Sequence, residues 1–171
     1  MKGKLLLLTT ALFTTGQLMA YSYTCTFNNK THFPVNIQFL RTAAIQQPNV
    51  QMVGPAGSEN SSVENKSMLH TRGIKIVSIN LPNNIVLGGS TAEPFLEEKF
   101  EWLGRACGTT WDLVAEERIE RRYIGGLYSD VPVAIKFELY RRPCGGIGGS
   151  FYPGGLVRET DWISLLPASP A

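Results

Sequence analysis

The chain has 171 residues, of which 18% are charged and 10% aromatic, a composition that suits a folded domain and argues against a disordered one. Its formal net charge is only +2, and Lys2 and Lys4 fall in a segment expected to be removed, so the remainder is close to neutral. Nucleic acid is therefore a poor partner, because holding a phosphate backbone takes a sustained excess of Lys and Arg.

Residues 1–20 read as a secretory signal peptide. Met1-Lys2-Gly3-Lys4 is a basic head, Leu5 to Phe13 is apolar apart from Thr9 and Thr10, and Ala20 is the small residue before the cut. The mature chain is expected to start at Tyr21, in a secreted or periplasmic location. The apolar run is well short of the ~20 residues that span a bilayer, and no later run is longer, so no transmembrane anchor is expected after cleavage. Residues 21–166 are expected to form a single β-rich domain, with 167–171 as a loose tail. Export to an oxidising compartment makes a disulfide the expected fate of two of the three cysteines. Cys107 and Cys144 are the expected pair, since both lie beside glycines in loop-like stretches. Cys25 shares a strand face with Tyr23 and Phe27 and reads as a small buried hydrophobe.

Along the mature chain, Tyr21 to Phe27 alternates apolar with polar residues, breaks at Asn28-Asn29-Lys30-Thr31 and resumes at Phe33, which predicts strand, tight turn, strand. Phe33, Val35, Ile37 and Phe39 should face inward. Val50 to Val53 is a candidate short strand, Gly54 to Ser58 a turn, and Ser58 to Lys66 a polar, exposed stretch. Gly73 to Leu81 is a β-branched run with a bulge expected near Ile76-Val77. Pro82-Asn83-Asn84 turns the chain into Ile85-Val86-Leu87.

Two helices are then expected. The first covers about 94–103, with Pro94 in its first turn, although a strand over Lys99 to Leu103 fits nearly as well. The second covers 111–123. Thr110 can cap it, Glu117 and Arg121 stand one turn apart, Gly125-Gly126 stop it, and Trp111, Val114, Ala115, Ile119 and Tyr123 form a stripe. Val131 to Tyr140 is the most legible strand, with Val133, Ile135, Phe137 and Leu139 on one face. A glycine-dense loop over 145–155 carries Phe151 and Tyr152, and a last short element lies within Leu156 to Leu166. The expected fold is mainly β: a single-domain antiparallel sandwich or small barrel with one or two short helices.

No motif names a catalytic residue. His32 and His70 are the only histidines, and neither has a partner at metal-ligand spacing, so no metal site and no cofactor are expected. Ser150 lacks the closing glycine of a nucleophile elbow. Glu93, Glu97, Glu98 and Glu101 are the one carboxylate cluster that could support a small secreted hydrolase. The reading that fits best is an exported binding protein recognising an extracellular protein, glycan or lipid headgroup through end loops. Phe151, Tyr152, Arg141 and Arg142 are its candidate contacts, within a wider basic strip that also takes in Arg118, Arg121 and Arg122. A membrane-active toxin with 111–123 at the lipid interface is the remaining alternative. Asn29, Asn60 and Asn65 each begin an acceptor sequence for N-linked sugar.

Overall fold

The computed structural model describes residues 21–41, 49–65, 69–103, 108–142 and 154–166. Two sheets pack face to face without closing into a barrel, a β-sandwich. The first contains β1 (Tyr21–Asn29), β4 (Ser58–Asn65), β8 (Thr109–Ile124), β9 (Leu127–Arg142), β10 (Gly155–Glu159) and β11 (Ile163–Ser164). Its order is β10-β9-β8-β1-β4, and β11 joins the same edge of β9 as β10. The second contains β2 (Val35–Arg41), β3 (Gln51–Val53), β5 (Leu69–Asn80), β6 (Val86–Gly88) and β7 (Leu96–Leu103). There β2 lies between β3 and β5, while β6 and β7 both pair with β5.

The alternation in the sequence sets the interior. Val133, Ile135, Phe137 and Leu139 of β9 are all buried, as are Tyr23, Cys25 and Phe27 of β1. Val35, Ile37 and Phe39 of β2 face them from the other sheet, with Phe33 just ahead. In β5 the expected bulge is present: Asn36 pairs with Ser78 and Ile37 with Ile76, so Val77 is the extra residue. Both Ile76 and Val77 are thereby buried.

Four expectations differ from the structure. Residues 94–103 do not form the expected helix; the strand weighed against it over Lys99 to Leu103 is present and longer, Leu96–Leu103, paired to β5 along its length. Residues 111–123 are likewise the body of β8, which forms a hairpin with β9 from Thr110–Arg142 to Ile124–Leu127. Helix propensity differs by only tenths of a kcal/mol per residue among Glu, Arg, Leu and Val, so a long ladder to an unambiguous strand overrides it. Third, β1 and β2 are not a hairpin, because the turn between them carries the chain from one sheet to the other, and β1 instead pairs in parallel with β8. Fourth, the polar stretch from Ser58, expected only as an exposed segment, is the edge strand β4, whose one partner among the described residues is β1.

The two sheets are tied by polar contacts as well as by the core. Asn29 is buried, and its side-chain amide donates to the carbonyls of Phe33, Val53 and Gly54 at 2.7, 3.2 and 2.9 Å. Its Oδ1 accepts from the Thr31 N–H at 3.0 Å and the Thr31 hydroxyl at 2.7 Å. One side chain thus fixes the turn between the sheets and the start of the β3–β4 turn. Elsewhere, Arg158 of β10 donates to the Glu97 carbonyl of β7 at 2.9 Å.

Candidate functional site

The β8–β9 hairpin outruns the sandwich. Among the described residues, no third strand pairs with β8 beyond Leu113 or with β9 before Ala134, where the two have only each other. The register slips between Arg118 and Ile119, where Val133 is the extra residue, and from Ile119 and Pro132 outward the hairpin is a two-stranded ribbon. Pro132 adjoins the slip, where a strand tolerates a residue with no N–H to give. Isolated ribbons of this kind are marginal in water, so this one depends on being the extension of strands anchored in a core.

Its faces follow from the register. Ile119, Arg121 and Tyr123 stand opposite Pro132, Asp130 and Tyr128 on one face. Glu120, Arg122 and Ile124 stand opposite Val131, Ser129 and Leu127 on the other. Gly125 and Gly126 make the turn, with φ of 61° and 90°, the two positive values that a tight two-residue hairpin requires and glycine adopts freely. The outermost ladder positions are the most apolar. Tyr123, Ile124, Leu127 and Tyr128 are 65%, 55%, 73% and 67% exposed. Tyr123 and Tyr128 meet edge to face with centroids 5.1 Å apart, and the Arg121 guanidinium lies 5.5 Å from the Tyr128 centroid. Arg122 bonds Glu120 along its own strand at 2.9 Å. At the base of the arm, Arg118 stacks over Trp162 at 4.7 Å.

In the sequence Gly125-Gly126 reads as the stop of a helix over 111–123, and that reading hides the arm. The signal that finds it is Tyr-Ile-Gly-Gly-Leu-Tyr, a near-mirror pattern around a glycine pair, which is a hairpin signature.

The residues expected to form sites are dispersed. Phe151, Tyr152, Cys107 and Cys144 lie outside the described residues. Arg141 and Arg142 go to opposite faces of β9. Arg141 points into the sandwich, where its guanidinium bonds Glu98 and stacks over Phe100 at 4.3 Å. Arg142 lies outside and holds Asp112 through two bonds of 2.9 and 3.2 Å. With Arg118, Arg121 and Arg122 far along the hairpin, the five arginines do not make one strip.

The carboxylates separate in the same way. Glu98 is buried, while Glu97 faces outward on the same strand and stands 3.9 Å from Lys75. Glu98 also accepts from the Trp111 indole at 2.9 Å, so both of its oxygens are engaged by structural donors. Glu93 is exposed, and the side chain of Glu101 is outside the described residues. Two carboxylates poised across a substrate bond are not what this segment presents. Trp111 and Leu113 are buried, which removes 111–123 as a surface helix. His32 is exposed and lies 3.0 Å from Glu117.

On the outer face of the first sheet, Asp112 gathers Asn28 at 2.6 Å and Lys30 at 3.1 Å besides Arg142. Burial pushes its carboxyl up, but the bonds from Arg142, Asn28 and Lys30 outweigh it and hold the pKa below the usual value. Along the same face, Tyr140 donates to Glu138 at 2.7 Å, and Lys136 bridges Glu138 and Glu159 at 3.2 and 2.5 Å. The Tyr140 bond, followed by Lys136, lowers the Glu138 pKa, and Glu138 in turn raises that of Tyr140. These groups satisfy one another and leave a polar surface.

Among the described residues no three His, Cys, Asp or Glu side chains are grouped so as to hold a metal ion. No helix there is long and apolar enough to cross a membrane. The candidate site is therefore the hairpin tip, a surface that can bind by burying apolar area and that brings no reactive group together. Compared with protein families, with curated proteins and with solved structures, the chain matches none of them.

Proposed function

We propose that this is an exported binding protein that makes its contact through the tip of the β8–β9 hairpin. The observation that carries the reading is the concentration of four large apolar side chains, each more than half exposed, at the end of an arm built beyond the core. A folded domain gains nothing from holding Tyr123, Ile124, Leu127 and Tyr128 in water, and exposed apolar clusters of this sort mark contact surfaces. Tyrosine adds large contact area at a small cost in side-chain entropy.

The test is a photo-crosslinking residue placed at Leu127, with the same residue at exposed Lys99 of β7 as the control. Exposed to the membranes and secreted proteins of its own cells, the protein should form adducts from position 127 and few from position 99. Equal yields at the two positions would remove the tip from the argument.

Export and the disulfide belong to the same proposal. They are supported by residues 1–20 and by the ladder, since Cys107 lies three residues before Thr110 and Cys144 two after its partner Arg142. The intact mass of exported protein tests both: it should correspond to a chain starting at Tyr21 and gain about 2 Da on reduction. A retained leader sinks the first claim, and an unchanged mass sinks the second. The segment with Phe151 and Tyr152 is proposed as a second contact on the strength of its sequence.

A further inference from the structure

We infer that the partner of the hairpin tip is the surface of a lipid bilayer bearing anionic headgroups, into which residues 123–128 dip without crossing. This rests on the reading of the arm as a contact surface and adds the chemistry of what it meets.

Three features select lipid. First, the apolar residues occupy both faces of the ribbon, Tyr123 and Tyr128 on one and Ile124 and Leu127 on the other. A protein surface covers one face of a ribbon unless it offers a slot, whereas acyl chains close around both. Second, the length is right for the interface. The tip holds two ladder pairs and a glycine turn, so at ~3.4 Å per residue its uncharged end is roughly 10 Å tall. That matches the ~5–10 Å to which interfacial segments bury their apolar side and falls far short of the ~30 Å hydrocarbon core.

Third, the charges stop where headgroups would begin. Tyr123-Ile124-Gly125-Gly126-Leu127-Tyr128 contains no charged residue, and Arg121 and Arg122 flank it directly on β8. From Ile119 outward the arm carries Arg121 and Arg122 against Glu120 and Asp130 and so no net charge, but the charge nearest the apolar end is a cation, Arg122, level with Ser129. Tyrosines with arginines just behind them are the arrangement that membrane boundaries favour, phenol at the headgroups and guanidinium reaching phosphate.

The experiment is flotation of the mature protein with vesicles of phosphatidylcholine, with and without about 30% phosphatidylserine. The variant carries Tyr123→Ser and Leu127→Ser, one change on each face. Both sites are exposed, so its thermal unfolding should match the parent, which shows that any loss is not misfolding. The parent should float with the anionic vesicles, less so with pure phosphatidylcholine and less in high salt, and the variant should bind at least tenfold more weakly.

Binding that survives in the variant overturns the tip as the lipid contact. Failure of the parent to float with either vesicle overturns the lipid assignment. The reading of the arm as a contact surface then stands or falls separately on the Leu127 crosslinks. Protein adducts at 127 without flotation leave a protein partner, adducts to the chain itself together with a dimer in sedimentation leave a second copy, and neither crosslink nor flotation removes both conclusions.

Discussion

Replacing Glu98 with alanine should cost about 3–5 kcal/mol of folding stability, the range for stranding one partner of a buried ion pair. Glu98 stands between the sheets, where Arg141 of β9 and the indole of Trp111 on β8 both donate to it. Its own strand is β7, in the other sheet, so this one carboxylate crosses the interior. Removing it leaves the Arg141 guanidinium, only 10% exposed in its side chain, with Phe100 beneath it and no balancing charge from Glu98. It also takes the acceptor from a tryptophan with no access to water. Glu98→Gln should fall between, because the amide keeps an acceptor for the indole but not the charge.

The comparison that isolates the charge is Glu98→Leu with Arg141→Met. Together they replace the pair with apolar volume and should recover most of what either loses alone, since a buried ion pair contributes little beyond a well-packed apolar substitute. Urea unfolding of the four proteins gives the coupling directly. A Glu98→Ala protein within about 1 kcal/mol of the parent would mean that the pair is not desolvated as described.

The same residue shows why part of the site was not legible. In the sequence, Glu97, Glu98 and Glu101 are near neighbours, and on a helix they would share a surface. On a strand, alternation sends Glu98 inward and Glu97 outward, and the cluster ceases to exist. Whether those carboxylates form a cluster depends on the secondary structure of the segment alone, and its Glu, Lys and Leu content favours a helix. The strands that were legible are those with one buried face and one wet face. Val133 to Leu139 and Phe33 to Phe39 meet that condition along most of their length, so the period of two is clean.

The arm failed to show for the opposite reason. Beyond Ala115 no core demands alternation, so Glu116, Arg118, Glu120 and Arg122 interleave with Glu117, Ile119 and Arg121 without a dry side. Such a stretch can be read equally well at a period of 3.6. What fixes it is β9, sixteen residues of pairing partner whose inner half is pinned in the core. That partner lies across Gly125-Gly126 and cannot be seen from β8 alone. Edge strand β4 is a milder case. Ser, Glu and Asn have poor strand preference, and its place comes from the backbone of β1.

Asn29→Asp should be the second most damaging single change, at about 3 kcal/mol or more near neutral pH, although it alters only an amide nitrogen to an oxygen. In the native protein that nitrogen faces three carbonyl oxygens, those of Phe33, Val53 and Gly54. A carboxylate there offers no donor and sets a negative charge against three carbonyl dipoles in a buried site. The pH dependence gives the sign. The new acid would be favoured in its protonated form on folding, so its folded pKa would lie above its unfolded one. Its penalty is therefore full above the folded value and is relieved as pH falls through it, because the folded state then holds a proton that the unfolded chain lacks. Urea midpoints at pH 7 and pH 5 should show the variant gaining on the parent upon acidification. Asn29→Ala, which cannot titrate, should lose stability by a similar amount at both. A variant as stable as the parent at pH 7 would show that the amide does not hold the inter-sheet turn. The same geometry bears on the sugar acceptor sequence at Asn29: a buried nitrogen engaged by three carbonyls cannot carry a glycan in the folded chain, whereas exposed Asn60 on β4 can.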